Sequence, residues 1–168
     1  MWPALALFCI TVSYAQQQPS VAAQREAMKK LDFLVGKWSG DASLVRGPGE
    51  PLKLVQSEDV QFKLDGLVML IEGTSRDSTG KVVFHALATV SYDDATSTYR
   101  FRAYNDGRYL DTELTVPPNG FVWGYDAGTM KVSNTMRLSA KGEWIETTEV
   151  TLGSAPPRKT LEMTLRRQ

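Results

Sequence analysis

From Gly36 to the C-terminus, apolar and polar residues alternate with a period of two in short segments, each ending at a turn signal. No long segment repeats at helical spacing. Ten strands are predicted, near 36–45, 53–64, 67–76, 81–92, 98–105, 108–116, 120–126, 129–138, 143–152 and 158–166. Between them fall Asp65-Gly66, Thr79-Gly80, Asp106-Gly107, Pro117-Pro118-Asn119-Gly120, Ala127-Gly128 and Lys141-Gly142. Each suits a hairpin, because Gly, Asn and Asp tolerate the positive φ that such turns need. Strands joined this way make an antiparallel up-and-down meander. An open sheet of that width would expose two long edges, so the predicted fold is all-β, with the meander closed into a barrel of eight to ten strands. Ahead of it, "VAAQREAMKKL" (21–31) sets alanines, Met28 and Leu31 on one side of a single short helix.

Because side chains alternate, one face can be followed through successive hairpins by parity. From Leu54 the apolar face takes in Val60, Phe62 and Leu64, then Leu67, Met69 and Ile71, then Val82, Phe84, Ala86, Ala88, Val90 and Tyr92. It continues through Tyr99, Phe101 and Ala103, then Leu110, Leu114, Phe121, Trp123 and Tyr125, and then Val132, Asn134 and Met136. The same parity turns Gln56 and Glu58 inward. Several inward positions are small, namely Gly40, Ala42, Gly73, Ala86, Ala88 and Ala103, and the volume they leave is either filled by large neighbours or left as a cavity. Arg100 and Arg102 fall on the other face. Within "TYRFRAYNDGRYLDTEL" (98–114), pairing across Asp106-Gly107 sets Tyr104 against Tyr109, Arg102 against Asp111 and Arg100 against Glu113, a solvated charge ladder. A one-residue bulge would instead turn both arginines inward, as groups for an anionic ligand.

The chain has 168 residues, 19 basic and 19 acidic, which is a balance that gives no basic excess for a nucleic-acid partner. Its hydrophobic content suits a single globular domain. The first fifteen residues, "MWPALALFCITVSYA", carry no charge, are mostly apolar, and end in Ser13-Tyr14-Ala15, with small residues at the two positions a signal peptidase reads. No Lys or Arg precedes the apolar run, which departs from the usual signal pattern. The reading is a signal peptide over 1–15, a linker and helix start over 16–27, a barrel domain over 28–168, and a secreted protein, periplasmic or extracellular. The apolar run is too short for a membrane span. Cys9, the single cysteine, lies inside it and would leave with it, so the mature chain would rest on its core without thiol or disulfide.

The segment "LDFLVGKWSGDA" (31–42) resembles the Gly-x-Trp entry strand of lipocalins and related calycins, in which the tryptophan closes the barrel floor. Here the pair is Gly36 and Trp38. Taken with "KLDGLVMLIEG" (63–73), "HALATVSYDDATSTYRFRAY" (85–104), "FVWGYD" (121–126) and "LEMTLRR" (161–167), the chain from about Met28 onward resembles a bacterial lipocalin-like family of the calycin superfamily, domain of unknown function family 1579. The resemblance implies a barrel open at one end and brings no reaction and no catalytic residues. The nitrobindin-like calycins share the Gly-x-Trp start and bind haem through a histidine near the C-terminus. In this chain the only histidine is His85, in the fourth strand and outward by parity beside Glu72, so histidine-ligated haem is not expected.

Nucleophilic catalysis needs Ser, Cys or Thr beside a base. Ser91 and His85 share a strand face but stand about 20 Å apart by strand rise. One histidine and scattered acids offer no metal-ligand cluster, and neither a phosphate-binding glycine loop nor a dinucleotide fingerprint is present. No catalytic residue, metal or cofactor is assigned. The interior remains. Trp38, Phe84, Tyr92, Tyr99, Phe101, Trp123 and Tyr125 are candidate walls for a small, mostly apolar ligand held non-covalently, with Gln56, Glu58 and Asn134 as its polar handles. Two rival readings stand beside binding. One is an enzyme using Glu58 or Glu146 as acid or base in the cavity, although the loop before Trp144 leaves the parity of Glu146 open. The other is a solid-core structural or interaction module.

Overall fold

A computed structural model describes residues 18–168. The signal-peptide reading of 1–15, with Cys9, lies outside the described residues. Helix α1 (Val21–Met28) is capped by the Ser20 hydroxyl, which accepts from the Ala23 N–H at 3.3 Å, and it tightens into a 3-10 segment over Lys29–Leu34. Ten strands follow: β1 (Gly36–Leu44), β2 (Leu52–Lys63), β3 (Val68–Arg76), β4 (Val82–Asp93), β5 (Thr98–Asn105), β6 (Arg108–Thr115), β7 (Gly120–Ala127), β8 (Met130–Leu138), β9 (Trp144–Leu152) and β10 (Arg158–Arg167). Each pairs antiparallel with the next, and β10 returns to β1 with Trp38 opposite Arg167 and Leu44 opposite Leu161. The result is a closed up-and-down barrel. Eight strands leave a barrel interior that side chains just fill, and ten leave more room.

The two ends of the barrel differ. The turns after β2, β4, β6 and β8 share one end with α1, and that end is shut. Asp94 accepts from the Ser20 backbone N–H and the Gln24 side chain, both at 2.7 Å, while the Tyr99 hydroxyl donates to the Ala27 carbonyl at 2.7 Å. These bonds hold the helix so that Met28, Leu31 and Leu34 are fully buried against the barrel core. Below them lies the Gly-x-Trp pair. Trp38 donates its indole N–H to the Leu34 carbonyl at 2.7 Å, and the Arg167 guanidinium lies 4.2 Å from the centre of one of its rings. Arg167 also donates to the Val35 carbonyl and, at 2.8 Å, to that of Phe33. Gly36 is required here, with φ +126° and a would-be Cβ only 2.6 Å from the Arg167 Nη1.

The β5–β6 hairpin turns on Asp106 and Gly107 with φ 49° and 72°, as a type I′ turn needs. Arg102 Nε donates to Asp111 at 2.9 Å, and Arg100 lies 3.4 Å from Glu113, all four on the outer face. The arginines therefore form the solvated ladder. Two apolar positions depart from simple parity. Leu64 leaves the interior, since Leu64, Asp65 and Gly66 take φ of 51°, 53° and 90° and this left-handed turn swings the side chain to 70% exposure. Val82 is also turned out, by a register shift between Ser75 and Arg76 where β3 meets β4. Among the described residues no helix is long and apolar enough to cross a membrane.

Candidate functional site: a cavity with two buried carboxyls

The interior is hollow. A cavity of about 560 Å³ runs inward from the end opposite the helix. Its walls are the small and aromatic residues that parity sends inward. Gly73, Ala86, Ala88 and Ala103 leave the space, and Phe84, Phe101, Phe121, Trp123, Tyr125 and Trp144 line it. Phe101 stacks on Trp123 at 5.1 Å between ring centres, with planes 19° apart, and Trp123 stacks on Tyr125 at 6.5 Å. Asn105, Arg108 and Tyr109 stand at the mouth, where β5 turns into β6.

Two carboxyls face this space, Glu58 from β2 and Glu146 from β9, each only 8% exposed. Glu58 Oε1 accepts from Gln56 Nε2 at 2.6 Å, and Gln56 Oε1 in turn accepts from the Ser75 hydroxyl. Glu146 is held on both oxygens, by Asn134 Nδ2 and by the Trp144 indole N–H, each at 2.8 Å. Asn134 Nδ2 also reaches Thr148 Oγ1 at 2.8 Å, and its Oδ1 is buried without a partner. Gly73 makes room for Glu58, because a Cβ at that position would lie 2.9 Å from both carboxyl oxygens.

Burial opposes charge on these groups. It pushes Glu58 from the ordinary carboxyl range up to about 8, with the neighbouring charge of Glu146 adding to the rise and the Gln56 hydrogen bond opposing it. Burial likewise raises Glu146, against the hydrogen bonds from Asn134 and Trp144. Glu58 therefore holds a proton near neutrality and can donate it.

Of the residues singled out from sequence, Glu58, Phe84, Phe101, Trp123 and Tyr125 line the cavity. Gln56 and Asn134 stand behind the two carboxyls as their hydrogen-bond partners. Trp38, Tyr92 and Tyr99 lie elsewhere, in the shut end. Trp38 is packed edge-on against Trp144 at 5.6 Å, and Tyr92 meets Tyr99 edge-on at 4.9 Å beneath the helix. Ser75, Trp144, Asn105 and Arg108 were not singled out as candidates. Ser75 lies two residues beyond Gly73 on the same face, so the parity argument reaches it. Trp144 becomes legible only once β9 is registered against β8, with Leu138 opposite Trp144 and Asn134 opposite Thr148.

This fold has counterparts among solved structures. Rv2717c from M. tuberculosis superposes with a TM-score of 0.62 at 12% identity, over 84% of this chain and 97% of its own. The fold is that of the lipocalin-like barrels. The S-type phycobiliprotein lyase CPES from Guillardia theta also shares it, with a TM-score of 0.59 at 10% identity, over 89% of this chain and 98% of that one. No family model and no curated protein matches the chain. At these identities the likeness of this lipocalin-like barrel to its neighbours is one of fold, and the chemistry must be argued from its own cavity.

Proposed function

We propose that this barrel binds a small, mostly apolar molecule non-covalently in its interior. The cavity of about 560 Å³ carries the reading, because it lies within the size range of small-molecule sites and combines aromatic walls with a few convergent polar groups. A solid-core module would have filled that space. That a barrel of this fold serves as a phycobiliprotein lyase is consistent with the reading, although fold by itself does not select a function. The N-terminal run supports export, with cleavage after Ala15, which N-terminal sequencing of the protein from its host would test. The quoted segments from Gly36-x-Trp38 to Leu161–Arg167 support placing the chain in the bacterial lipocalin-like family 1579.

The deciding experiment is native mass spectrometry of the mature protein purified from its own host, followed by denaturation to release what is bound. A discrete apolar molecule near one-to-one stoichiometry is the expected result. An empty protein that also refuses fatty acids, haem and hydrophobic dyes would overturn the reading. A catalytic reading is favoured by one observation, two buried carboxyls, both raised by burial, facing one cavity. Under it, Glu58→Gln or Glu146→Gln abolishes turnover while ligand binding persists.

A further inference from the structure

The side-chain donors nearest the two buried carboxyls are already engaged. Gln56 Nε2 is spent on Glu58, Asn134 Nδ2 on Glu146 and Thr148, the Trp144 indole on Glu146, and the Trp38 indole on Leu34. Glu58 Oε2, on a side chain more than nine-tenths buried that faces the cavity, takes no hydrogen bond from the described residues, and behind Glu146 the Asn134 Oδ1 is buried without a partner. A carboxyl oxygen open to the cavity is placed to accept from an N–H group brought there, most strongly once its proton has left and the bond is charge-assisted. Among the described residues no lysine or histidine lines the cavity, and Arg108, the one basic lining residue among them, stands exposed at the mouth. The stacked faces of Phe101, Trp123 and Tyr125 are the kind of surface that attracts a cation.

Resting on the ligand-binding reading above, we propose that the cavity takes an apolar molecule bearing a single organic cation of the ammonium type, with its N–H end against Glu58 and Glu146 and its apolar body along the aromatic wall. A neutral molecule of the same shape fills the same space but supplies fewer donors and no charge. An anionic one meets two carboxyls and finds its counter-charge only at the mouth. The ammonium form also draws Glu58 toward its charged state, so binding displaces the proton that the empty cavity holds near neutrality. The other titratable or charged groups around the cavity are Glu146 from β9, Tyr125 from β7, and Arg108 and Tyr109 from β6.

Three probes of matched shape test this: 2-naphthylmethylamine, 2-naphthylmethanol and 2-naphthoate, titrated calorimetrically into the mature protein at neutral pH. The amine should bind about tenfold tighter than the alcohol or better, with the naphthoate weakest. Its heat should depend on the ionisation enthalpy of the buffer because a proton is released. In Glu58→Gln and in Glu146→Gln, each checked for folding by thermal unfolding, the amine-to-alcohol ratio should collapse toward one. An alcohol that binds as tightly as the amine, a ratio unmoved by both variants, or a preference for naphthoate overturns the cation proposal while leaving a ligand-binding barrel. Failure of all three probes to bind overturns the binding reading and this proposal with it.

Discussion

Glu58 sets how the interior answers to pH. Its pKa stands near 8 in the folded chain and in the ordinary carboxyl range in the unfolded one, so between those values the folded state holds a proton that the unfolded state has released. Stability therefore falls as pH rises through that window, by at most about 1.4 kcal/mol per pH unit, and levels off above it. Glu146, raised in the same direction, adds to the same slope. Melting temperatures taken from pH 5 to pH 9 should decline in the wild type and decline less in Glu58→Gln. An equal slope in the two would show that the pH dependence arises elsewhere. Gly73 depends on the same carboxyl. Gly73→Ala brings a methyl group against both Glu58 oxygens and should cost roughly 1–3 kcal/mol, less in a Glu58→Ala background, which a double-mutant cycle measures. Independent, additive costs would mean that the carboxyl does not occupy this space. Both residues are legible in the sequence, since alternation from Leu54 turns Glu58 inward and alternation from Ile71 does the same for Gly73. That one makes room for the other follows only from the β2–β3 register, which sets Glu58 opposite Gly73.

Among the strands, the weakest join is between β6 and β7. Their ladder consists of Leu114 opposite Trp123 and Thr115 opposite Val122, while every other neighbouring pair is registered over most of its length. Toward the open end the strands part, bridged by the Thr112 hydroxyl donating to the Gly124 carbonyl at 2.7 Å. Leu110, Trp123 and Tyr125 border both this seam and the cavity. Local opening should begin here, because backbone groups without a ladder partner are protected least. Hydrogen exchange should find amides of Arg108–Glu113 facing the seam about tenfold less protected than those of β2 and β3, and uniform protection around the barrel would refute a weak seam. The boundaries of both strands were predicted to within about two residues, which is the usual precision of such limits. The short ladder was not, because parity assigns faces and leaves the length of pairing open. The same limit appears at Leu64, whose apolar character suits the interior while its left-handed backbone carries it outside.

At the scale of the whole molecule, the ten-strand circumference and the small inward residues together create the space. Ala88, buried and lining the cavity, is the place to remove it. Ala88→Leu should leave stability unchanged or raise it by about 0.5–2 kcal/mol, as filling a real void does, while weakening uptake of an apolar probe. A loss of stability comparable to core overpacking would mean that the space is already occupied by neighbouring side chains. Alternation, turn dipeptides and the Gly36-x-Trp38 pair pointed to the closed meander and to most of the inward set from Gln56 to Asn134, with the outward arginine ladder as the preferred of two readings, because strand period and hairpin chemistry are local properties. Tertiary structure alone decided three things: that the interior stays hollow, that Trp38, Tyr92 and Tyr99 belong to the shut end, and that Glu58 and Glu146 meet across one cavity. Each of these depends on which strands become neighbours when the barrel closes, and residues from β2 and β9 come together only through that closure.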